Sequence, residues 1–301
     1  MTGILPRTNE HRPLLAIGFV LIAYFMFSCI DTGAKWLAYA GLPAMQLAFM
    51  RYAGHFAISL TVVMKGGMRI DRFHSDKFLL TILRGVLLAA STVFNFIAIR
   101  YLPLTLTSTI LFLAPIIVCA LSWPLLGEKV GAYRIAAILA GFVGILIAVR
   151  PFGESLHWAV FLSLGAAVSF SFYTLLTRKL SGIVATDTMQ FYSGLVGTVA
   201  LAPFALANWE NPEGMSDWAI FIGLGILGYY GHELLTRAHG FASASSLSPF
   251  AYSFMIYLTV WSFFVFDNLP DLWTIVGAVV VASAGLVIWA RERSKLHTQI
   301  T

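Results

Sequence analysis

The sequence predicts an all-α membrane protein of ten transmembrane helices, arranged as two inverted five-helix repeats. Three observations carry that expectation. Of the 301 residues, 59% are hydrophobic and 11% charged, whereas a soluble domain is about half apolar and a quarter charged. So little charge cannot shield so much apolar side chain from water, and lipid removes the need. Ten apolar runs, each meeting or approaching the roughly 20 residues that a spanning helix requires, follow one another through short connectors. A faint internal likeness, finally, relates one half of the chain to the other.

The first run follows Arg7 and Arg12, as the core of a signal peptide would. It continues past Phe27, however, and no small-x-small cleavage site closes it, so it reads as a retained span over 14–37. Spans over 43–64, 79–99, 104–126 and 132–149 complete the first half. Those over 156–177, 188–207, 217–236, 242–266 and 272–290 make up the second. Breaker residues separate them: Gly41-Leu42-Pro43, Gly66-Gly67, Leu102-Pro103, Arg150-Pro151, Asn211-Pro212 and Leu269-Pro270. Arg51 and Arg84 interrupt the second and third spans. The expected organisation is a tail over 1–13, a repeat over 14–150, a repeat over 156–291 and a tail over 292–301.

An even number of spans puts both ends on one side. Fifteen of the 19 basic residues fall toward that side, leaving Lys35, Arg51, Arg100 and Arg150 opposite. The positive-inside rule makes it the cytoplasm, and the connector around 208–217, with Glu210, Glu213 and Asp217 and no Lys or Arg, fits the outer face. Met45-Gln46 recurs as Met189-Gln190, Ala98-x-x-Tyr101 as Ala238-x-x-Phe241, and Glu128 falls near the equivalent of Asp267. Five spans per half is an odd number, so the second copy enters the membrane upside down, which is a transporter signature.

The net charge of +5 does not indicate nucleic acid, because Lys and Arg lie in connectors between apolar runs rather than in one basic patch. Cys29 and Cys119 sit inside apolar runs without disulfide or zinc spacing. No hydrolytic triad, metal cluster, phosphate loop or dinucleotide fingerprint is present. The expectation is therefore no catalytic residue, no metal, no cofactor and no enzyme. Continuous polar stripes, which a channel would need, are also missing.

Ionisable residues within the spans are the informative ones, because burying them is costly and they mark pathways. Asp31 and Lys35 lie four apart on one helix face, spaced either for an internal salt bridge or for a gate at the outer mouth. Arg51 has two structural options, to snorkel to the outer interface or to pair with Asp31. His232 and Glu233, with Tyr229 one turn earlier, are residue types suited to carrying protons; the competing reading pairs Glu233 with Arg237 at i,i+4 and leaves His232 on a backbone carbonyl. Asp31, Lys35, Arg51, His232 and Glu233 are thus the gating or coupling candidates.

Uncharged polar groups near mid-span include Ser91, Thr92, Asn95, Ser169, Ser171, Tyr173, Ser245, Ser248 and Tyr252. Small hydroxyls are also common packing contacts between membrane helices. An amide needs several partners, and Phe94, Tyr229, Tyr230 and Tyr252 offer rings to a planar solute. Asn95, Tyr173, Tyr229, Tyr252 and Ser248 are the solute-binding candidates. Pro115 and Pro249 interrupt the fourth and ninth spans at corresponding places, and such breaks point to a midplane site or to a packing kink.

The run Ala98-Ile-Arg-Tyr-Leu-Pro-Leu-Thr, with Leu113-Ala-Pro115, Leu126-Gly-Glu128 and Gly141-Phe-Val-Gly144, resembles the first repeat of the drug/metabolite transporter superfamily, EamA type. Gly231-His232, Ala238, Ser248-Pro249-Phe-x-Tyr252, Trp261, Phe266-Asp267-x-Leu-Pro270 and Gly277 resemble the second. The likeness spans about 14–291 and departs from the family pattern at Phe266-Asp267, where Gly-Glu is usual. It implies ten spans, a central cavity and secondary transport without ATP. Asp31-x-x-Ala34-Lys35-x-Leu37 and Gln46-x-x-Phe49-x-Arg51 resemble a bacterial subgroup that includes transporters for riboflavin and for S-adenosylmethionine. The expected function is alternating-access transport of a small organic metabolite across the bacterial inner (cell) membrane. Aromatic or riboflavin-like solutes come first, and amino-acid or S-adenosylmethionine-type solutes second; a membrane-embedded enzyme or assembly subunit is the competing class. The expected partners are the solute, the lipid bilayer and, as candidate coupling ion, protons. No particular oligomeric state is implied.

Overall fold

In a bilayer every backbone polar group must be satisfied within the segment, which turns apolar runs into helices. The computed structural model describes residues 13–65, 77–126, 132–150, 157–180, 182–241 and 247–298. Among them are eleven α-helices, one 3₁₀ turn and no strand. The helices are α1 (Pro13–Tyr39), α2 (Ala44–Lys65), α3 (Phe78–Tyr101), α4 (Leu104–Leu111), α5 (Leu113–Leu126), α6 (Ala132–Val149), α7 (Ala159–Leu180), α8 (Thr186–Ala207), α9 (Met215–Phe241), α10 (Ser253–Phe266) and α11 (Leu272–Thr298). The 3₁₀ turn, Ser248–Tyr252, leads into α10.

Among the described residues, six helices are long and apolar enough to cross a membrane: α1, α2, α3, α7, α8 and α9. Four shorter apolar stretches accompany them, in α4–α5, α6, the 3₁₀ turn with α10, and α11. The run expected as one helix over 104–126 is broken at Phe112. Pro115 has no N–H to offer the carbonyl of Leu111, so the ladder cannot pass that point intact. The span expected over 242–266 differs too, since it enters through a 3₁₀ turn with Pro249 in its first positions. The motif residues Gly127-Glu128 and the candidate Ser245 lie outside the described residues, as do the side chains of Pro115, Ser248 and Pro249.

The two halves interleave. α1 packs along α9, α2 along α8 and α9, α3 along α7 and α8, and α6 along α11. Two crossings are glycine on glycine. A Cβ on Gly54 would stand 2.8 Å from the Gly225 Cα, and one on Gly277 would stand 2.5 Å from the Gly144 carbonyl oxygen. Small residues let membrane helices approach this closely, where dispersion and interhelical hydrogen bonds hold them. One cluster, including Leu37, Leu47, Tyr52, Leu88, Phe96, Leu104, Phe221 and Leu258, fills the centre, while Leu79, Phe264, Leu272 and Val279 stand exposed on the outside. An apolar exterior around a packed interior is the arrangement that lipid solvates.

At one end of the bundle the halves are tied by polar contacts. The Gln46 amide donates to the Glu210 carbonyl at 2.5 Å and accepts from the Glu210 N–H at 2.9 Å. The Trp36 indole donates to Asp217 at 2.9 Å, and Arg150 pairs with Asp271. Asp271 also accepts from the Thr274 N–H at 2.6 Å, capping α11. Partial burial alone would raise the Asp271 carboxyl; the Thr274 hydrogen bonds and the Arg150 guanidinium outweigh it and hold the group below the usual carboxylate range.

Candidate functional site

A cavity of about 140 Å³ lies where five helices and both interrupted segments meet. α3 supplies Leu88, Ser91, Thr92, Asn95 and Phe96, a stripe at i, i+3, i+4, i+7 and i+8 that forms one helix face. α1 adds Tyr24, Phe27, Ile30 and Asp31, α2 adds Arg51, α7 adds Phe170 and α9 adds His232. Leu111, Phe112 and Ala114 flank the break between α4 and α5, while Ala251 and Phe254 come from the 3₁₀ turn and the start of α10. Both helix interruptions therefore border the same hollow.

The polar side chains are joined in two groups. In the first, the Asn95 amide donates to Asp31 Oδ2 at 3.0 Å, and the Asn95 carbonyl oxygen is buried without a partner. In the second, Arg51 Nη1 donates to Tyr52 Oη at 3.1 Å and to Thr92 Oγ1, while Nη2 lies 2.9 Å from His232 Nε2. A guanidinium can only donate, so His232 Nε2 accepts, and the ring proton of the neutral imidazole sits on Nδ1. That nitrogen faces Tyr173 Oη at 3.3 Å. Tyr173 Oη also accepts from Arg84 Nη2 at 3.0 Å, and Arg84 donates further to Thr177 Oγ1, the Met189 carbonyl and Ser193 Oγ at 2.7, 3.1 and 2.6 Å. A continuous chain of buried donors and acceptors thus runs from Thr92 to Ser193 across five helices.

Of the residues singled out from the sequence, Asp31, Arg51, Asn95 and His232 line the cavity. Tyr173 stands behind His232 as its hydrogen-bond partner. Tyr252 packs its ring on Phe112, 5.0 Å between centroids, with its buried hydroxyl unpartnered. Tyr229 lies away from the hollow against His55, its ring 5.4 Å distant. Glu233 forms the i,i+4 ion pair with Arg237 at 2.7 Å. Of the two readings of Asp31 and Lys35, the internal salt bridge does not form. Asp31 turns to α3, and Lys35 Nζ donates to the Leu102 carbonyl at 2.7 Å, with the rings of Tyr39 and Phe266 beside it. Arg51 neither snorkels nor pairs with Asp31; it is 7% exposed and bonded within the bundle.

Arg84, fully buried at 0% exposure, is the largest omission from the sequence reading, which took it only as an interruption. A cation in an apolar run with hydroxyls on other spans was the available signal. Tyr52 and Tyr24 were also missed; Tyr24 lies seven residues before Asp31 and so shares its face.

Comparison with known proteins shows the family. The model of the EamA-like transporter family matches residues 14–150 and again 157–290. The riboflavin transporter of Vibrio cholerae is 27% identical over 295 residues, covering 97% of this chain and 99% of that protein. The S-adenosylmethionine uptake transporter of Rickettsia bellii is 26% identical, covering 95% and 97%. The pseudopaline exporter CntI of Pseudomonas aeruginosa is 27% identical, covering 91% and 96%. A solved structure titled only as the crystal structure of a protein matches with a TM-score of 0.65 at 15% identity, over 92% of this chain and 97% of that one, a likeness of fold alone.

Proposed function

Because the chain belongs to the EamA-like transporter family, we propose that it is a secondary transporter moving a small organic metabolite across the bacterial inner (cell) membrane by alternating access. The observation that carries this reading is the hollow bordered by both helix interruptions and lined by Asp31, Arg51, Asn95 and His232. Broken helices free backbone groups only where a cavity or protein can receive them, and paired breaks mark midplane sites.

The halves act as inverted copies in this account, ten spans in all with both termini in the cytoplasm. Helix packing supports the pairing. If α1, α2 and α3 correspond to α7, α8 and α9, then α1 along α9 is the counterpart of α7 along α3. The packing of α2 on α8 and of α6 on α11 then falls on the symmetry axis, and all of these contacts occur. Similar units of opposite orientation can exchange shapes, opening the hollow first to one side and then to the other.

An aromatic or riboflavin-like solute is the first reading, favoured by the rings of Tyr24, Phe27, Phe96, Phe112, Phe170 and Phe254 around the hollow. The riboflavin transporter of Vibrio cholerae lends it support. An engineered protein cavity of about 150 Å³ holds benzene, so a tricyclic solute requires these helices to part. An amino-acid or S-adenosylmethionine-type solute is the second reading, favoured by a carboxylate and a guanidinium in one small cavity.

Uptake of labelled riboflavin and S-adenosylmethionine into proteoliposomes of the purified chain tests the proposal. One of them should enter saturably, and Phe112→Ala should weaken that uptake several-fold. Flux that rises linearly with concentration, or matches empty liposomes for both solutes, contradicts it.

A further inference from the structure

A second hollow, of about 470 Å³, opens between the ends of α1 and α10. That volume lies within the range of about 300–1,000 Å³ usual for small-molecule pockets. Lys35 and Tyr39 of α1 line it, with Ser262, Phe266, Asp267 and Asn268 at the end of α10. None of these six borders the central cavity, and the proposed transport cycle makes no use of the Phe266-Asp267 pair.

Lys35 brings a buried positive charge to this hollow. An ammonium has three donors. Lys35 Nζ gives one to the Leu102 carbonyl at 2.7 Å, and the Tyr39 and Phe266 ring centroids flank it at 5.3 and 5.7 Å. Among the described residues the ion pairs within 4 Å are Arg150–Asp271 and Arg237–Glu233, so no carboxylate neutralises Lys35. Two of its donors therefore remain for an anion. Asp267 supplies the opposite charge at the rim. It ends α10 in left-handed backbone, φ 49°, with its N–H on the Phe263 carbonyl and the Asn268 N–H on the Ser262 carbonyl, both at 3.0 Å. Its side chain is exposed and outside those two ion pairs.

The two charges stand at different depths. Lys35 lies four residues before the end of α1, about 6 Å inside it at 1.5 Å per residue, whereas Asp267 follows the last residue of α10. Tyr39 and Phe264, which line the hollow, and Trp36 beside Lys35 are exposed on the outside of the bundle. Trp and Tyr there mark the boundary between hydrocarbon and headgroups. We propose that the hollow is a site for a phospholipid with an amine-bearing headgroup, of the phosphatidylethanolamine kind, its phosphate on Lys35 and its ammonium on Asp267. In such a lipid the phosphate lies nearer the acyl chains and the ammonium farther out, the same order as the two side chains. A buried charge is stabilised by a partner and costly without one, so the phosphate completes Lys35. A headgroup with a phosphate and no amine would meet Lys35 but set its negative charge against Asp267.

The experiment is native mass spectrometry of the purified, delipidated full chain, titrated with phosphatidylethanolamine or phosphatidylglycerol of the same acyl chains. The wild type should bind phosphatidylethanolamine at least about fivefold more tightly. Asp267→Asn keeps a residue that tolerates left-handed backbone and should bring the two lipids level, while Lys35→Met should weaken both. If Lys35→Met fails to fold, Asp267→Asn decides. Glycerophosphoethanolamine, the same head without acyl chains, should fail to displace bound lipid at equal concentration. Equal binding of the two lipids by the wild type, a preference that survives Asp267→Asn, binding unchanged by Lys35→Met, or displacement by the chainless head overturns the proposal.

Discussion

Arg84 shows how a buried cation is tolerated without a carboxylate within reach among the described residues. Its guanidinium spreads its donors over Thr177, Tyr173, Ser193 and the Met189 carbonyl, and its carbon lies 4.6 Å from the Tyr173 ring centroid. Thr177 and Ser193 also donate to carbonyls one turn earlier in their own helices, at 2.8 and 2.9 Å. Arg84→Met therefore leaves those donors satisfied and removes a desolvated charge, so it should cost no more than about 2 kcal/mol. Arg84→Ala opens a void as well and should cost about 2–5 kcal/mol; melting curves in detergent should rank the two that way. Glu233 is bound to Arg237, yet its second oxygen is buried without a partner. If protons drive the cycle through this carboxylate, Glu233→Gln abolishes the pH dependence of uptake at normal expression; unchanged pH dependence assigns Glu233 to its ion pair alone. Asp31, Arg51, Asn95 and His232 were legible in the sequence because ionisable and amide groups stand out in apolar runs. Their partners were not. Spacing along one helix suggested Asp31 with Lys35, but Asn95 and the Leu102 carbonyl, 64 and 67 residues away, win in three dimensions.

Among the elements, the long helices follow from apolar runs without an internal proline, which is why α1, α2 and α3 sit close to their expected bounds. The interrupted spans were less legible. Pro115 and Pro249 announced a disturbance, but its form, a clean break at Phe112 and a 3₁₀ entry at Ser248–Tyr252, depends on what neighbouring helices supply to the freed backbone. The start of α11 makes a pH prediction. The Asp271 carboxyl is held lower in the folded chain than in the unfolded one, so its contribution is fully present above the ordinary carboxylate range and is lost as pH falls through its folded value. Asp271→Asn should therefore melt below the wild type at neutral pH, with the gap closing under acid conditions. A gap that persists at low pH would mean that the charge is not its source.

For the molecule as a whole, composition and run length made the helical membrane class evident, and the recurrence of Met45-Gln46 as Met189-Gln190 hinted at two copies. The interleaving of the halves was beyond the sequence, since a Gly54–Gly225 contact or a Gln46–Glu210 clasp leaves no periodic trace. Yet that interleaving gives the account its mechanism, a hollow between helices of both halves, which the contacts of Trp36 with Asp217 and of Gln46 with Glu210 tie together at one end. In the alternating-access cycle we propose, the helices joined by Trp36 and Asp217 part once in each cycle. The most direct measurement is uptake by a chain carrying Trp36→Cys and Asp217→Cys, with Cys29 and Cys119 replaced by alanine, before and after a short reducible cross-linker joins the new thiols. Saturable uptake should stop on cross-linking and return on reduction; uptake that continues unchanged through the joined protein would contradict the account.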